Sequence, residues 1–316
     1  MRAFWVIFVV LLAILAGLWL VKSQVSPPAE PGSEIEARHF TSQDRYVEIA
    51  GARVRVREEG PDDAPVLILL HGFTFSLESW NGWAGQLDDE YRIVRYDLLG
   101  HGLTGPDPQQ RYSPHERSAF LGEVMDALDI EEASLAGNSL GGLVAWRFAV
   151  ENPDRVDRLI LVDSGAFSIN GVTDEPVQAP LPVAMALRSA PDFFIDQIIA
   201  MTFADPSVIS EDRRAGIADM MRAEGNGDAF VDHINEFVLP DPRPELARLN
   251  TPTLVMWGGR DVLIDPAQAQ MIVDAAPQAE LVMFDDLGHA PQEENPQATA
   301  EAARAFLSDN NAGEGE

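Results

Sequence analysis

Residues 133–150 read ASLAGNSLGGLVAWRFAV. A short apolar run, Ala133–Ala136, meets Gly137-Asn138-Ser139-Leu140-Gly141-Gly142, and an apolar helical stretch, Leu143–Val150, follows. A serine flanked by glycines at a strand-to-helix turn fits G-x-S-x-G, in which the nucleophile sits at strained backbone angles and the glycines let strand and helix approach closely. Ser139 is therefore the candidate nucleophile.

Outward from that turn, the chain alternates short apolar runs with amphipathic segments. Val66–Leu70, Arg92–Tyr96, Leu159–Val162, Thr253–Trp257 and Leu281–Phe284 have the length and composition of doubly buried parallel strands. Tyr46–Ile49 and Arg53–Arg57, around Ala50-Gly51, read as a hairpin. Ser113-Pro114-His115-Glu116 is a capping box opening a helix over Arg117–Leu128, and Asp265-Pro266 and Asn295-Pro296 open two more. Alternating strands and helices predict an α/β fold, a mostly parallel sheet with helices on both faces. About 90 residues separate Asp163 from Thr253, far more than one crossover needs. Helical patterns at Asp192–Phe203, Glu211–Glu224 and Asp228–Val238 predict an inserted helical cap over residues 164–250, dividing a core of residues 40–163 and 251–309.

A serine nucleophile needs a base, and the histidines can be sorted by position. His39 lies in a linker region, His115 in a helix cap and His233 in the insertion, while His71 and His101 sit beside glycines where they shape loops. His289, in Leu287-Gly288-His289-Ala290-Pro291, follows the last strand and can reach the carboxyl ends of the others. Trp257-Gly258-Gly259-Arg260-Asp261 places a carboxylate just past its strand, able to orient the imidazole. Asp163 is the rival, and Asp265 has a separate task as a helix cap. Two backbone amides must receive the oxyanion. Leu140 supplies one, and Phe73, where the chain leaves its strand in Leu70-His71-Gly72-Phe73, supplies the other. Phe193 and Phe194 are candidate substrate contacts from the cap. Trp80, Trp83 and Trp146 read as packing, and Asp97 with Gly100-His101-Gly102 as a loop brace.

Composition excludes other classes. The chain carries 51 acidic and 22 basic residues in 316, a net charge of −29, which opposes any nucleic-acid backbone. That charge reads as a solvated surface or as adaptation to salt. There is no cysteine, hence no disulfide framework or thiolate metal site. The serine chemistry requires neither metal nor cofactor. Phe4–Val21 is an unbroken apolar or small run between Arg2 and Lys22, long enough as a helix to span about 27 Å. It exceeds the usual h-region and no small-x-small cleavage site follows, so residues 1–22 read as an uncleaved transmembrane signal anchor. Residues 23–39, rich in Pro, Ser and Glu, read as a linker, and 310–316 as a tail. This arrangement places the catalytic domain outside the cytoplasm, periplasmic in a Gram-negative bacterium, with secretion after signal cleavage as the alternative.

From about Tyr46 to Leu307 the chain resembles the α/β-hydrolase superfamily, in its HG-x, G-x-S-x-G, G-x-x-D and GH arrangement. The resemblance implies Ser139 as nucleophile, Asp261 as acid, His289 as base and Phe73 with Leu140 as oxyanion donors. It implies a serine hydrolase, a carboxylesterase acting on small to medium apolar esters. Gly137–Gly142 is also similar to the carbon–carbon bond hydrolases of aromatic ring-cleavage products, from which the chain departs at Ala290, where that group carries tryptophan. A serine at 139 argues against the haloalkane dehalogenases and epoxide hydrolases of the same fold, which carry aspartate there. A small-molecule receptor on the same fold is a third reading.

Overall fold

Val66–Leu70 (β3) shows why this chain builds a layered molecule. Ile68 and Leu70 are buried in one apolar cluster, while Leu67 and Leu69 are buried in another on the opposite face. Successive side chains of a strand point to opposite faces, so a strand apolar at every position must be covered on both. The same alternation recurs in Thr253–Gly258 (β7), where Val255 and Trp257 face one cluster and Leu254 and Met256 the other.

The computed structural model describes residues 32–169 and 171–308. Eight strands form one sheet in the order β1-β2-β4-β3-β5-β6-β7-β8. The others are Asp44–Ile49 (β1), Ala52–Glu59 (β2), Arg92–Tyr96 (β4), Ala133–Asn138 (β5), Val156–Val162 (β6) and Ala279–Phe284 (β8). β2 runs antiparallel to β1 and β4, and every other pairing is parallel. The helices Pro114–Ala127, Leu140–Glu151 and Ala267–Ala275 cover one face, and Asn81–Leu87 with Pro296–Leu307 cover the other. Ser113 and Glu116 form the expected capping box. Trp80, Trp83 and Trp146 are fully buried, as packing residues should be.

The strand order reverses direction between β3 and β5, and their following loops leave a crevice at the carboxyl end of the sheet. Above it lie the helices Leu181–Ser189, Asp192–Thr202, Glu211–Arg222 and Asn226–Glu236, all between β6 and β7. They share an apolar cluster of their own, including Leu187, Ile199, Phe203, Met221 and Phe230, which meets the loops below at Phe75 and Ala290.

Two segments differ from the sequence reading. The linker expected over 23–39 ends in a helix, Gly32–His39. Eight residues make a marginal helix alone, but this one buries Ile35 and is tied at its end. Arg55 donates to His39 O at 2.8 Å, and Arg38 and His39 both meet the Asp219 carboxylate. The helix Leu181–Ser189, with Pro182 in its first turn, precedes the helical stretches read from the sequence, which began at Asp192. Proline is tolerated there because the first amides of a helix have no intrahelical acceptor. The expected anchor over 1–22, the first part of the linker and the tail at 310–316 lie outside the described residues. Among the described residues no helix is long and apolar enough to cross a membrane.

Candidate active site

The turn at Ser139 is as tight as its glycines suggest. Ser139 has φ 53° and ψ −111°, a conformation that costs a non-glycine residue about 1–3 kcal/mol. The surroundings hold it there: its amide donates to Val162 O, and its carbonyl accepts from Leu143 N and Gly165 N, all at 3.0 Å. A Cβ on Gly137 would lie 2.3 Å from Gly141 O, and one on Gly141 would lie 2.2 Å from Leu70 O. No side chain fits at either position while the strands and the Leu140–Glu151 helix keep their places.

His289 and Asp261 come together on adjacent loops. His289 Nδ1 is 2.7 Å from Asp261 Oδ2. The other oxygen of Asp261 accepts from Leu263 N at 2.7 Å and Ile264 N at 3.0 Å. With both oxygens engaged and its side chain fully buried, the carboxylate fixes the ring. Asn138, inside the serine motif, donates to His289 O at 2.9 Å and so ties the two loops together. His289 N reaches Thr202 O at 2.7 Å, which joins this loop to the helices above. Glu294 accepts from Gly288 N, Ala204 N and Asp205 N, bracing the same junction. Sequence reasoning missed Glu294, for which no local pattern pointed to a role.

Asp163 lies beside this pair. Its Oδ1 accepts from Gly258 N at 3.0 Å, and its Oδ2 is buried without a donor. Burial, and then the neighbouring Asp261 charge, push its pKa well above the usual carboxylate range. The two acids thus differ in kind: Asp261 accepts three hydrogen bonds, and Asp163 is driven towards its neutral form. Polar atoms of Asp163, Asp261 and His289 lie within 4.8 Å of one another, the one metal-like grouping among the described residues. The His289–Asp261 bond and the backbone amides already engage most of those atoms.

The glycine turn after β3 passes directly beside the serine, since a Cβ on Gly72 would lie 3.4 Å from Ser139 Cβ. Phe73 follows, and Leu140 N opens the helix after Ser139. Ser139, Leu140, Gly72, Phe73 and His289 all line one cavity of about 540 Å³. Phe194, Ile198, Val183, Ile234 and Phe237 supply its apolar walls from the segment between β6 and β7. Phe194 is among them, but Phe193 is not, and its side is 37% exposed. Successive helical residues point about 100° apart, so only one of the two can face the cavity.

The remaining histidines have the structural tasks their positions suggested, with one exception. His71 Nδ1 donates to Gly72 O at 2.8 Å and its Nε2 accepts from Leu98 N at 2.9 Å; burial lowers its pKa to about 4. His101 pairs with Leu99 O, and Asp97 accepts from Leu77 N and Leu103 N, bracing the loop. His115 meets Glu151 at the surface. His233 is the exception, because it lines the cavity.

Comparison with known proteins bears on the family and the fold. Lipase 3 of Moraxella sp. is 29% identical over 246 residues, 76% of each chain. Lipase 1 of Psychrobacter immobilis is 28% identical over 262 residues, 82% of each. The crystal structure of a bacterial membrane phospholipase A superposes with a TM-score of 0.72 at 24% identity, covering 97% of this chain and 98% of that one. Residues 65–296 match the family model for the alpha/beta hydrolase fold, and the chain belongs to that family.

Proposed function

We propose that the protein is a serine carboxylesterase acting on small to medium apolar esters. One observation carries the reading: His289, bonded to Asp261 at 2.7 Å, lines one apolar cavity together with Ser139, Phe73 and Leu140. Ser139 Oγ attacks the ester carbonyl while His289 takes its proton. With Nδ1 engaged by Asp261, Nε2 is the nitrogen left for that transfer. The negative oxygen rests on Phe73 N and Leu140 N. His289 then protonates the departing alcohol, and water attacks the acyl-enzyme with the same base. The chemistry needs no metal or cofactor. The lipase relatives support an ester substrate, and the helices between β6 and β7 serve as a cap that limits pocket length. Ala290, buried against that cap, stands where the carbon–carbon bond hydrolases carry tryptophan and favours the esterase.

A panel of p-nitrophenyl esters tests this reading. Turnover is expected to be best with short to medium acyl chains. Phe194→Ala, by opening the wall, should move the optimum to longer chains by two or more carbons, whereas Phe193→Ala should leave it in place. A dienol keto acid from aromatic ring cleavage belongs in the same assay. Its fast cleavage beside trace ester hydrolysis would replace the esterase with a carbon–carbon bond hydrolase, and tight binding without turnover would favour a receptor.

We also propose that the domain is held outside the cytoplasm by the Phe4–Val21 helix, a reading supported by that apolar run alone. Full-length protein should fractionate with membranes and be digested by protease added to spheroplasts. A form starting at Ser23 should be soluble and active. Full-length protein that stays soluble, or is shielded from protease, would contradict the anchor or its orientation.

A further inference from the structure

The cavity holds several polar side chains besides Ser139 and His289, and most already have partners. Asn138 Nδ2 donates to Val162 O and His289 O. Thr74 Oγ1 donates to Phe73 O, and Thr202 Oγ1 donates to Ile198 O. Gln178 is exposed at the mouth. His233 is different, being 4% exposed and lining the cavity on the helix Asn226–Glu236.

The partner of His233 fixes its tautomer. Arg117 NH2 lies 3.3 Å from His233 Nδ1, and a guanidinium can only donate. Nδ1 therefore accepts, and the ring proton of neutral His233 is on Nε2. Arg117 is itself held, donating to Leu99 O at 2.8 Å and Tyr112 O at 3.1 Å. Burial, and then the Arg117 charge, keep the His233 pKa well below its ordinary value, so the ring is neutral. The Tyr112 carbonyl also lies near the ring, but it already accepts from Arg117 Nε while Arg117 NH2 meets Nδ1. Nε2 is not one of the polar atoms sealed away without a partner. That leaves Nε2 as the ring nitrogen available to the cavity that His233 lines.

The ring is also held in place relative to the reaction centre. It stacks on Phe73 at 4.8 Å and 27°, and lies tilted by 39° against Phe237 at 5.0 Å. Phe73 is the residue whose amide is assigned to the oxyanion, so the donor and the scissile carbonyl are placed by one side chain and its own backbone.

We propose that His233 Nε2–H is a specificity-determining hydrogen-bond donor, and that the preferred substrate is an ester carrying a second, neutral oxygen acceptor away from the scissile carbonyl. The proposal rests on the esterase reading for its substrate class. A donor in an apolar cavity loses its water partner when a plain hydrocarbon chain fills the site, and a keto or ether oxygen restores the bond. Apolar walls disfavour a charged acceptor.

The test compares p-nitrophenyl hexanoate with its 4-oxo and 5-oxo counterparts, which differ by one carbonyl remote from the ester. Wild-type protein should prefer one keto ester in kcat/KM by about tenfold, the value of one net hydrogen bond. His233→Phe, which keeps a ring against Phe73, should bring that ratio to one or below. His233→Gln, which keeps a donor, should retain part of it. Ratios within one variant cancel differences in folded fraction. A wild type without preference, or a preference untouched by His233→Phe, would overturn the proposal. Titrating the same esters into Ser139→Ala protein reads the preference as a Kd ratio without turnover. No wild-type turnover together with a His233-dependent Kd ratio would therefore reject the esterase and keep the donor, and equal Kd values would reject the donor.

Discussion

Ser139→Ala is expected to lower kcat for p-nitrophenyl esters by about 10⁵- to 10⁶-fold, the scale set by removing a nucleophile from other serine enzymes. The fold should hardly notice. The hydrogen bonds that keep residue 139 at φ 53° belong to its amide and carbonyl, which alanine retains. The methyl group of alanine occupies the same place as the serine Cβ beside Gly72. Binding should survive too, because Phe194, Ile198 and the other walls are untouched. A phosphonylating reagent should add its mass to wild-type protein at Ser139 and leave the alanine variant unmodified. A variant within tenfold of the wild-type rate, at the same melting temperature, would remove Ser139 from the mechanism.

The parts of the site that could be read from the sequence are those whose signals are local. Gly137, Ser139 and Gly141 fall within five residues, and their spacing carries a steric requirement that the close approaches at Gly137 and Gly141 make explicit. β3 and β7 could be read because burial on both faces leaves an unbroken apolar run. Signals that depend on distant partners were silent. The helix Gly32–His39 is stabilised by Arg55 and Asp219, far along the chain, so its own composition suggested a linker. Phe193 and Phe194 look equivalent as letters, and only the rotation of their helix separates them. His233 sits in an apolar helical stripe like any core residue. Its tautomer depends on Arg117, 116 positions earlier, and no pattern within a window of sequence carries that information.

The choice between two aspartates yields the second large effect. Asp261→Asn should reduce kcat by about 10⁴-fold, as the corresponding change does in a serine protease triad. The asparagine oxygen would keep Leu263 N and Ile264 N, leaving its NH2 group to face His289 Nδ1. Nδ1 would then have to accept, which moves the proton to Nε2 and denies Ser139 its base. Asp163→Asn should behave in the opposite way. Asparagine is the neutral isostere of an acid already driven neutral, and its oxygen can still accept from Gly258 N. Activity should stay within a few-fold of wild type. Stability adds an independent sign. Asp163 has a folded pKa above its unfolded value, so the folded state binds the extra proton, and stability is lost as pH rises above the unfolded value. Asp163→Asn removes that loss. Its melting temperature relative to wild type should therefore rise between pH 4 and pH 7. Near-normal rates for Asp261→Asn, beside an inactive Asp163→Asn, would transfer the orienting role to Asp163.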